Sequence, residues 1–397
     1  MYKNTRILQL HNKYQQYGGE DTVVLSEYHL LKKNGQQVEQ LFFDNRNISS
    51  SIYDKLKAGL SSVFSFSSAK KVEQKIIQFK PDIIHVHNFF PLLSPSIFYI
   101  AKKNKIPIII TIHNYRLICA NALLYRNKHI CEDCVHKLIP LSGILHKCYR
   151  SSFIQSAAVT IMSSFHKILG TWKNKVNMYI VLTEFGKNKF IKSSLNLPIS
   201  KVIVKPNFAE DFGFGNNRRE DYYVFFGRLS EEKGIDILLE SVKFYNYKLK
   251  IMGDGPLREL VQQKVIDNSN IEYLGFKDKD FIISQLKNSR GLIVPSIWYE
   301  GLPLSIIETL STGTPIIFSD IPSFMEILTN NYNGFHFKTD DSNDLAQKVK
   351  QMDVNIENLN YLYLNARQTY LEKYTPEKNY DDLMNIYQNV IHKYGKK

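Results

Sequence analysis

The sequence predicts an α/β protein with two doubly wound domains, each a parallel sheet covered by helices. Its 397 residues exceed the length that one hydrophobic core usually serves, so two domains are expected. Short apolar runs typical of buried parallel strands alternate along the chain with stretches of helical spacing. Several runs end in glycine or polar residues that lead into a helix, which is the pattern of a ligand-binding loop at the carboxyl end of a strand.

The charge is unevenly divided along the chain. Residues 1–205 hold 29 Lys and Arg against 11 Asp and Glu, whereas residues 206–397 hold 22 against 27. The basic half indicates an anionic partner, which is nucleic acid, an anionic membrane or a phosphorylated substrate; a basic surface that only aids solubility is the alternative. No apolar run approaches the ~18 residues of a spanning helix, and the chain opens on a strand pattern. We therefore expect a cytosolic chain without a signal peptide.

The first half begins with a strand over residues 6–10 and the turn Tyr17-Gly-Gly-Glu-Asp-Thr22, which leads into a helix. Gly18 and Gly19 would let the backbone approach a phosphate or a sugar, although such a pair is often only a turn. A loop followed by a helix is expected over residues 49–75. Further strands are expected over residues 37–43, 81–88, 106–114, 178–182 and 201–207.

Histidines stand at the ends of two of these strands. His85 and His87 lie on one face of the strand 81–88, and hydrogen-bonded core histidines are the alternative to a functional pair. His113 falls at the exit of the next strand, beside Asn114. It is the better site candidate, because strand exits line the ligand-binding edge of a parallel sheet.

The four cysteines of the chain are clustered between residues 119 and 148. They are Cys119, Cys131, Cys134 and Cys148. In a reducing cytosol, such clustering favours a structural zinc site over disulfides. A redox pair, disulfides and independent thiols remain as alternatives, because only the pair 131 and 134 has tight CxxC spacing. His129, His136 and His146 could replace a cysteine ligand.

Residues 151–172 carry a broad apolar stripe at helical spacing, with Lys167, Lys173 and Lys175 near its end. A helix of this kind lies either on a membrane surface or against the sheet. The sequence favours neither position over the other.

The second half contains a strand over residues 222–226 that runs into Gly227-Arg-Leu-Ser-Glu-Glu-Lys-Gly234 and then a helix over 235–242. Arg228 offers a planar fork of donors and Lys233 a point charge, and both suit a diphosphate. Pairing with the neighbouring Glu231 and Glu232 is the alternative. Further strands are expected over residues 248–253, 271–276 and 335–337, with helices over 342–352 and 376–394.

Residues 291–318 form the most informative stretch, a strand, loop, helix and second strand without a gap. Pro303 suits the first position of a helix over 303–311, and Gly313 suits the position after its end. The helix N-terminus would attract a phosphate, yet Glu300 and Glu308 flank it. Carboxylates repel phosphate, so we expect them to accept hydrogen bonds from sugar or ribose hydroxyls; a helix-dipole partner and a solvated acid are the alternatives.

The motifs of the second half resemble those of the family-four retaining glycosyltransferases, which use nucleotide sugars and have the GT-B fold. The motifs that carry the resemblance are Phe226-Gly-Arg-Leu-Ser-Glu-Glu-Lys-Gly234, Gly253-Asp-Gly-Pro256, Leu274-Gly275 and Glu300-x7-Glu308. It extends to Tyr17-Gly-Gly19, to His113 and to the terminal helix, and thus covers nearly the whole chain. The cysteine-containing insertion with Tyr115-Arg-Leu-Ile-Cys119 looks like a bacterial subset that works on cell-surface polysaccharides.

The resemblance implies two Rossmann-like domains facing a central cleft. The first would be an acceptor-side domain over residues 1–205, with the cysteine-containing insertion at about 116–150. The second would be a nucleotide-sugar-binding domain over 206–375, followed by a helix over 376–397 that packs back on the first domain.

The resemblance also implies a role for each matching residue. Arg228 and Lys233 would neutralise the donor diphosphate and stabilise the departing nucleotide, in place of the metal ion that other glycosyltransferases use. Glu300 would hold hydroxyls of the donor sugar, Glu308 those of the ribose, and His113 would contact the sugar near its anomeric carbon from the opposite domain. The other implied substrate-binding residues are Gly18, Gly19, Asn207, Gly227, Gly253, Phe276, Gly301, Leu302, Pro303 and Leu304.

The implied partners follow the same resemblance. The donor would be a UDP- or GDP-linked sugar, no cofactor would be needed for catalysis, and zinc would be at most structural. The basic charge and the apolar stripe suit a lipid-pyrophosphate-linked or polysaccharide acceptor in the synthesis of capsule, O-antigen or exopolysaccharide. The chain would then be cytoplasmic and peripheral on the inner face of the bacterial plasma membrane, with no nucleic-acid partner.

Two other functions are compatible with parts of the sequence. A sugar-nucleotide epimerase of the same fold would also bind a nucleotide diphosphate, but it needs neither a basic acceptor side nor the apolar stripe. A nucleic-acid-binding zinc protein would use the basic half and the cysteine cluster, but the acidic second half and its sugar-diphosphate motifs argue against it.

Overall fold

The structure is a computed structural model that describes residues 2–13, 18–45, 59, 61–216, 218–354 and 360–395. Tyr17 of the predicted glycine turn and residues 49–58 of the predicted loop lie outside this part of the chain. The strands within it are β1 (Arg6–Lys13), β2 (Gln37–Asp44), β3 (Ile83–Asn88), β4 (Ile108–Ile112), β5 (Tyr125–Arg126), β6 (His129–Ile130), β7 (Met178–Val181), β8 (Val202–Val204), β9 (Tyr223–Phe226), β10 (Leu249–Met252), β11 (Ile271–Gly275), β12 (Gly291–Val294), β13 (Ile316–Ser319) and β14 (Gly334–Phe337).

The α-helices alternate with these strands, as the sequence predicts for an α/β protein. Those of the described residues are Gly19–Lys33, Phe66–Phe79, Ser96–Lys103, Leu141–Leu145, Phe153–Ile168, Thr171–Lys175, Glu184–Ile191, Ile235–Phe244, Arg258–Asp267, Lys279–Asn288, Leu304–Ser311, Pro322–Met325, Ser342–Val354, Asn360–Lys373 and Pro376–Tyr394.

The chain forms two compact units. The first comprises residues 1–124, 131–206 and 379–397, and the second comprises residues 125–130 and 207–378. The expected boundary between residues 205 and 206 falls within one residue of the division. The short hairpin of β5 and β6, expected within the first domain, instead belongs to the second unit, because Tyr125 and Lys128 contact Glu231 and Asp236 there.

The first unit contains a six-stranded parallel sheet in the order β2-β1-β3-β4-β7-β8. Its central strands are buried on both faces, which explains why they read as continuous apolar runs rather than as alternating patterns. The terminal helix Pro376–Tyr394 packs on this sheet, since Leu383 and Tyr387 share one apolar cluster with Ile7 and Ile109.

The second unit contains another six-stranded parallel sheet, in the order β11-β10-β9-β12-β13-β14. A single apolar cluster joins β9, β10 and β12 to the helices Ile235–Phe244 and Ser342–Val354. The chain starts this sheet at β9, builds outward to β11 and then returns to the other side of β9 with β12. The strand order therefore reverses between β9 and β12, the position where doubly wound sheets bind ligands.

Several predicted elements differ in extent or continuity. The stripe 151–172 is two helices, Phe153–Ile168 and Thr171–Lys175, because Gly170 adopts a left-handed conformation with φ of +64°. The helix expected from Pro303 begins at Leu304, with Pro303 as its extended N-cap. The helix Lys279–Asn288 was not predicted, since only Ile283 and Leu286 on it are buried and its apolar stripe is narrow.

Candidate active site

Two loops of the second unit meet at the reversal point of its sheet. The first follows β9 and contains Arg228 and Lys233, and the second follows β12 and contains Glu300. They are hydrogen-bonded to each other, since the Ile297 amide donates to the Glu232 carbonyl at 3.0 Å. The sheet order thus brings Lys233 beside Glu300, which lies 67 positions later in the sequence.

Glycines allow this close approach of backbone. Gly234 has φ of +70°, and a Cβ there would lie 1.9 Å from the carbonyl oxygen of Pro295. A Cβ at Gly253 would lie 1.9 Å from the carbonyl oxygen of Gly227. The glycines of the two motifs therefore serve loop packing, whatever contact they also make with a ligand.

Lys233 and Glu300 form an ion pair across the reversal point. The Lys233 ammonium lies 2.5 Å from Glu300 Oε1, and the Ser296 hydroxyl donates to the same oxygen at 2.8 Å. Glu300 and Ser296 are buried, whereas Lys233 is partly exposed. The predicted phosphate-binding cation and the predicted sugar-binding acid are therefore held beside each other. Ser296 was missed, because a serine in a loop carries no distinctive sequence signal.

Arg228 is the second predicted cation of this edge, and its side chain is exposed. Its backbone is fixed on both sides, because the Gly227 amide donates to the Met252 carbonyl at 3.0 Å and the Leu229 amide donates to the Asp254 carbonyl at 3.0 Å. The guanidinium thus extends from a rigid loop and is accessible to an anion.

The N-terminus of the helix Leu304–Ser311 completes this edge. Its first N–H groups have no partner within the helix and carry the positive end of the dipole. Asn207 holds the loop in front of it, because its amide donates to the Leu302 carbonyl at 3.1 Å. Asn207, predicted to contact substrate, therefore has a role in positioning the Gly301–Pro303 segment.

Glu308 lies in this helix, buried and paired with a lysine that sequence reasoning missed. The Lys279 ammonium is 2.8 Å from Glu308 Oε1. Lys279 opens a helix whose pattern was not recognised, so no signal connected the two residues. Phe276, the predicted contact after β11, is 82% exposed at the same carboxyl edge of the sheet.

The β5–β6 hairpin adds a further contact to the first of these loops. The Tyr125 hydroxyl donates to Glu231 Oε1 at 3.1 Å, and Lys128 lies 3.6 Å from Asp236 at the start of the following helix. Burial raises the pKa of Tyr125, with the Glu231 charge as a second cause, so the phenol remains a donor. Glu231 is thereby held by Tyr125.

In the first unit, the predicted histidines form one group, in which His85 and His87 are buried and His113 is half-buried. His85 Nδ1 lies 2.7 Å from the Tyr387 hydroxyl and its Nε2 lies 2.7 Å from the Thr111 hydroxyl. His87 Nδ1 lies 3.1 Å from His113 Nε2. Burial lowers the pKa of His85 and His87 well below the usual range and lowers that of His113 to about 3, so all three rings are neutral.

Glu27 and Lys205 stand behind these rings as a buried ion pair. Their charged atoms lie 3.0 Å apart, and both side chains are almost fully buried. Glu27 Oε2 is also 3.4 Å from His87 Nε2. This carboxylate favours the proton on Nε2 of His87, which leaves Nδ1 to accept from His113. Neither Glu27 nor Lys205 was predicted, because both read as ordinary surface residues.

His113 also borders a pocket of the first unit, and it is only half-buried. The pocket is lined by His87, Asn88, Phe89, Phe90, Ile110, Thr111, Ile112, His113, Asn114, Arg116 and Leu117. Gly18 and Gly19, also predicted for this unit, precede and open the helix Gly19–Lys33, and a Cβ at either would meet no described atom within 4 Å. Packing within the described residues therefore gives no reason for glycine at these two positions.

The described residues hold one group of side chains with the spacing of metal ligands, namely Glu27, His85 and His87. The Lys205 ammonium already balances Glu27 there, and a buried divalent cation beside it would be repelled. Among the residues that the structure describes, the four cysteines form no such group. The Cys119 thiol donates to Asn121 Oδ1 at 2.9 Å, and Cys134 Sγ lies 3.5 Å from Ser142 Oγ. This geometry gives the structural zinc site no support, and zinc stays a prediction that metal analysis of the purified protein would check.

Within the described part of the chain, no helix combines the length and apolar character needed to cross a bilayer. Exposed apolar surface is nevertheless present on the helix Phe153–Ile168, which lies in the first unit.

Both halves of the chain match family models. Residues 5–192 match the model described as Glycosyltransferase Family 4, and residues 207–369 match the model described as Glycosyl transferases group 1. These two matches leave residues 1–4, 193–206 and 370–397 uncovered.

Curated relatives are of the same kind. An uncharacterized glycosyltransferase of Methanocaldococcus jannaschii is 27% identical over 207 residues, 51% of this chain and 58% of that protein. An uncharacterized 42.6 kDa protein in the cps region of Klebsiella pneumoniae is 26% identical over 311 residues, 76% of this chain and 75% of that protein. The UDP-Gal:alpha-D-GlcNAc-diphosphoundecaprenol alpha-1,3-galactosyltransferase of Escherichia coli is 26% identical over 189 residues, 45% of this chain and 48% of that protein.

A solved structure of similar fold is HepE of Anabaena in complex with UDP. It has a TM-score of 0.68 at 14% identity, and the match covers 97% of this chain and 100% of that one. HepE has also been solved with UDP-glucose. At this identity the likeness shows the GT-B fold alone. The two family models, which together match most of the chain, show that it belongs to the glycosyltransferases, with a Family 4 first half and a group 1 second half.

Proposed function

We propose that this chain is a retaining glycosyltransferase that moves a sugar from a UDP- or GDP-linked donor to a lipid-linked or polysaccharide acceptor in the synthesis of a bacterial surface glycan. The observation that carries the donor class is the arrangement at the reversal point of the second sheet. There Arg228, Lys233 and a helix N-terminus supply positive charge beside two buried carboxylates, Glu300 and Glu308. A nucleotide sugar presents the complementary groups, a diphosphate flanked by the hydroxyls of a hexose and a ribose.

The proposed chemistry breaks the bond between the anomeric carbon and the donor phosphate oxygen and forms a bond from that carbon to an acceptor hydroxyl oxygen. Positive charge develops on the sugar and negative charge on the departing diphosphate. Arg228 and Lys233 stabilise the latter, while Glu300 orients the sugar through its hydroxyls. The acceptor attacks on the face from which the phosphate leaves, and its proton passes to a phosphate oxygen, so the configuration is retained.

No metal ion takes part in this proposal, because the two cations provide the charge that a metal would otherwise supply. The Lys233–Glu300 pair adds a specific expectation: Lys233 must share its contacts between Glu300 and the donor phosphate when the donor binds. Transfer is accordingly expected to continue in the presence of a chelator.

The proposed acceptor and location rest on two observations. The first half of the chain is strongly basic, which suits an anionic lipid carrier, and the galactosyltransferase relative is named for a diphosphoundecaprenol acceptor. Another relative is named as a protein in the cps region of Klebsiella pneumoniae. We therefore place the reaction at the cytoplasmic face of the bacterial plasma membrane, with the enzyme bound peripherally.

The test is a screen of UDP- and GDP-sugars by nucleotide release, with and without a panel of lipid-linked acceptors. Lys233→Ala and Arg228→Ala are each expected to lower transfer by about 10²-fold or more, while the protein stays folded. Lys243→Ala and Arg218→Ala are matched controls, since both side chains are exposed in the same unit. Near-normal transfer in either site variant would refute the assignment.

Incubation of the donor alone separates this proposal from the epimerase alternative. Appearance of an epimeric nucleotide sugar without acceptor would favour the epimerase. A transferase instead releases nucleotide in proportion to glycosylated acceptor, and the anomeric configuration of that product checks retention directly.

A further inference from the structure

The helix Phe153–Ile168 has its apolar and polar faces reversed relative to a helix on a water-exposed surface. Large apolar side chains on it are exposed at positions that recur at helical spacing, including Ile154, Ile161 and Phe165. Ile161, at the middle of the stripe, is 54% exposed. The face turned toward the protein includes Val159 and Met162, but most of its buried side chains are polar: Ser156, Thr160, Ser163, Ser164 and His166. A helix packed on a core in water shows the opposite arrangement.

Polar side chains on the buried face of this helix have hydrogen-bond partners, so the outward position of the apolar stripe belongs to the native packing. The Ser163 hydroxyl donates to the Leu117 carbonyl at 3.0 Å. His166 lies 2.9 Å from the Thr171 hydroxyl through Nδ1 and 2.8 Å from the Val63 carbonyl through Nε2. Rotating the helix to hide its apolar stripe would break these bonds, so they hold the stripe outward.

Neighbouring residues enlarge this apolar surface. Ten of the 25 large apolar side chains that are exposed among the described residues lie within 138–169: Leu138, Ile139, Leu141, Leu145, Phe153, Ile154, Ile161, Phe165, Ile168 and Leu169. The short helix Leu141–Leu145 packs on the longer helix, and Lys167 fixes the segment before it by donating to the Lys137 carbonyl at 3.2 Å. We call this set the apolar face of the first unit. A concentration of this kind marks an interaction surface.

The charge of this region identifies the partner. Between Asp133 and Glu184 the sequence contains no carboxylate residue, whereas it contains six Lys and Arg. Lys137, Lys147 and Lys173 among them are exposed. An anionic lipid surface presents hydrocarbon below a sheet of negative charge. The apolar face with cations in the same segment is complementary to that surface.

We propose that the apolar face, with Lys137, Lys147 and Lys173, docks on an anionic phospholipid bilayer, with the helix Phe153–Ile168 lying in the plane of the interface. The outward apolar side chains then enter the region between headgroups and acyl chains, and the lysines contact lipid phosphates. This inference rests on the proposed function only for the location of the acceptor. Membrane binding itself is measurable without any transfer reaction.

The test is flotation of the full chain with vesicles of phosphatidylcholine alone and with added phosphatidylglycerol. Binding is expected with phosphatidylglycerol and much weaker without it, and it should fall with salt. The double substitution Ile161→Ser with Phe165→Ser should lower binding about tenfold or more, from the loss of two apolar side chains. Lys137→Gln with Lys147→Gln should lower it about tenfold on the anionic vesicles only.

Matched controls lie elsewhere on the same unit. Ile77→Ser removes an apolar side chain that is 64% exposed on another helix, and Lys32→Gln with Lys33→Gln removes two exposed cations. Neither control should change vesicle binding. Equal loss in the controls, or binding that is indifferent to lipid charge and to the apolar substitutions, would overturn the proposal.

A second copy of this chain is the other partner that the apolar face could bind, and light scattering distinguishes it from a membrane. If the wild-type chain dimerises in light scattering and Ile161→Ser with Phe165→Ser makes it monomeric without changing vesicle binding, the apolar face is an interface between copies and the membrane proposal fails. Nucleotide release with the donor and a detergent-dispersed acceptor, without vesicles, should persist in this variant. Loss of vesicle binding with intact nucleotide release therefore supports the docking surface, whereas absence of nucleotide release in every variant would count against the proposed reaction.

Discussion

Removing one partner of the buried pair of Glu27 and Lys205 should strongly destabilise the first unit. Glu27→Gln keeps the shape of the side chain but removes its charge, which leaves the Lys205 ammonium without a counterion 3.0 Å away. Both side chains are almost inaccessible to water, so solvent cannot compensate. Breaking such a pair from one side costs about 3–5 kcal/mol, and we expect a value near the lower end because glutamine can still accept a hydrogen bond.

The two tryptophans allow this loss to be measured on the correct unit. Trp172 is buried in the first unit and Trp298 lies in the second, so a Trp298→Phe background reports the first unit alone by fluorescence in urea. Glu73→Gln is the matched control: its carboxylate pairs with Lys103 at 2.9 Å, but on the surface of the same unit, and its loss should have little effect.

A double-mutant cycle completes the test. Lys205→Met alone should also destabilise the unit, because it leaves Glu27 uncompensated. Glu27→Gln combined with Lys205→Met should be less destabilising than the sum of the two single changes, since no buried charge is left without a partner. A loss below about 1 kcal/mol for Glu27→Gln, or strict additivity in the cycle, would refute the reasoning.

Two further predictions concern conformation and pH. Gly234→Ala should destabilise the second unit strongly, because the new Cβ would meet the Pro295 carbonyl oxygen. Gly275→Ala is the control, since Gly275 has a similar φ of +72° but open space around it. In urea unfolding, this control should lower the free energy of unfolding by only about 1 kcal/mol. The second prediction concerns His85, whose pKa is lowered by burial. Below about pH 6.5, the unfolded chain therefore takes up a proton on this histidine that the native chain does not. The free energy of unfolding should fall by about 1.4 kcal/mol per such histidine when the pH is lowered to about 5.5. His85→Gln should remove that part of the pH dependence, while substitution of the exposed His29 should leave it unchanged; the same slope in both variants would contradict the assignment.

Much of the fold was accessible from local pattern. Apolar runs identified strands such as β3 and β12, because a strand buried on both faces has no polar positions to interrupt it. The glycine-containing loop around Arg228 and Lys233 was recognised from residue type and order, since a turn with φ of +70° at Gly234 and a helix start constrain the sequence directly. The terminal helix Pro376–Tyr394 was likewise predicted at its observed bounds.

The sequence by itself determined which residues can do chemistry at the carboxyl edges of the strands, because residue type, spacing and loop position are local properties. Only the tertiary structure decided how those residues are paired. Lys233 meets Glu300, and Glu308 meets Lys279, because the sheet places distant strands and helices side by side. The orientation of the helix Phe153–Ile168 was also open in sequence, since an apolar stripe fits a core and a bilayer equally well. Packing turned that stripe outward, because its polar face found hydrogen-bond partners inside the protein.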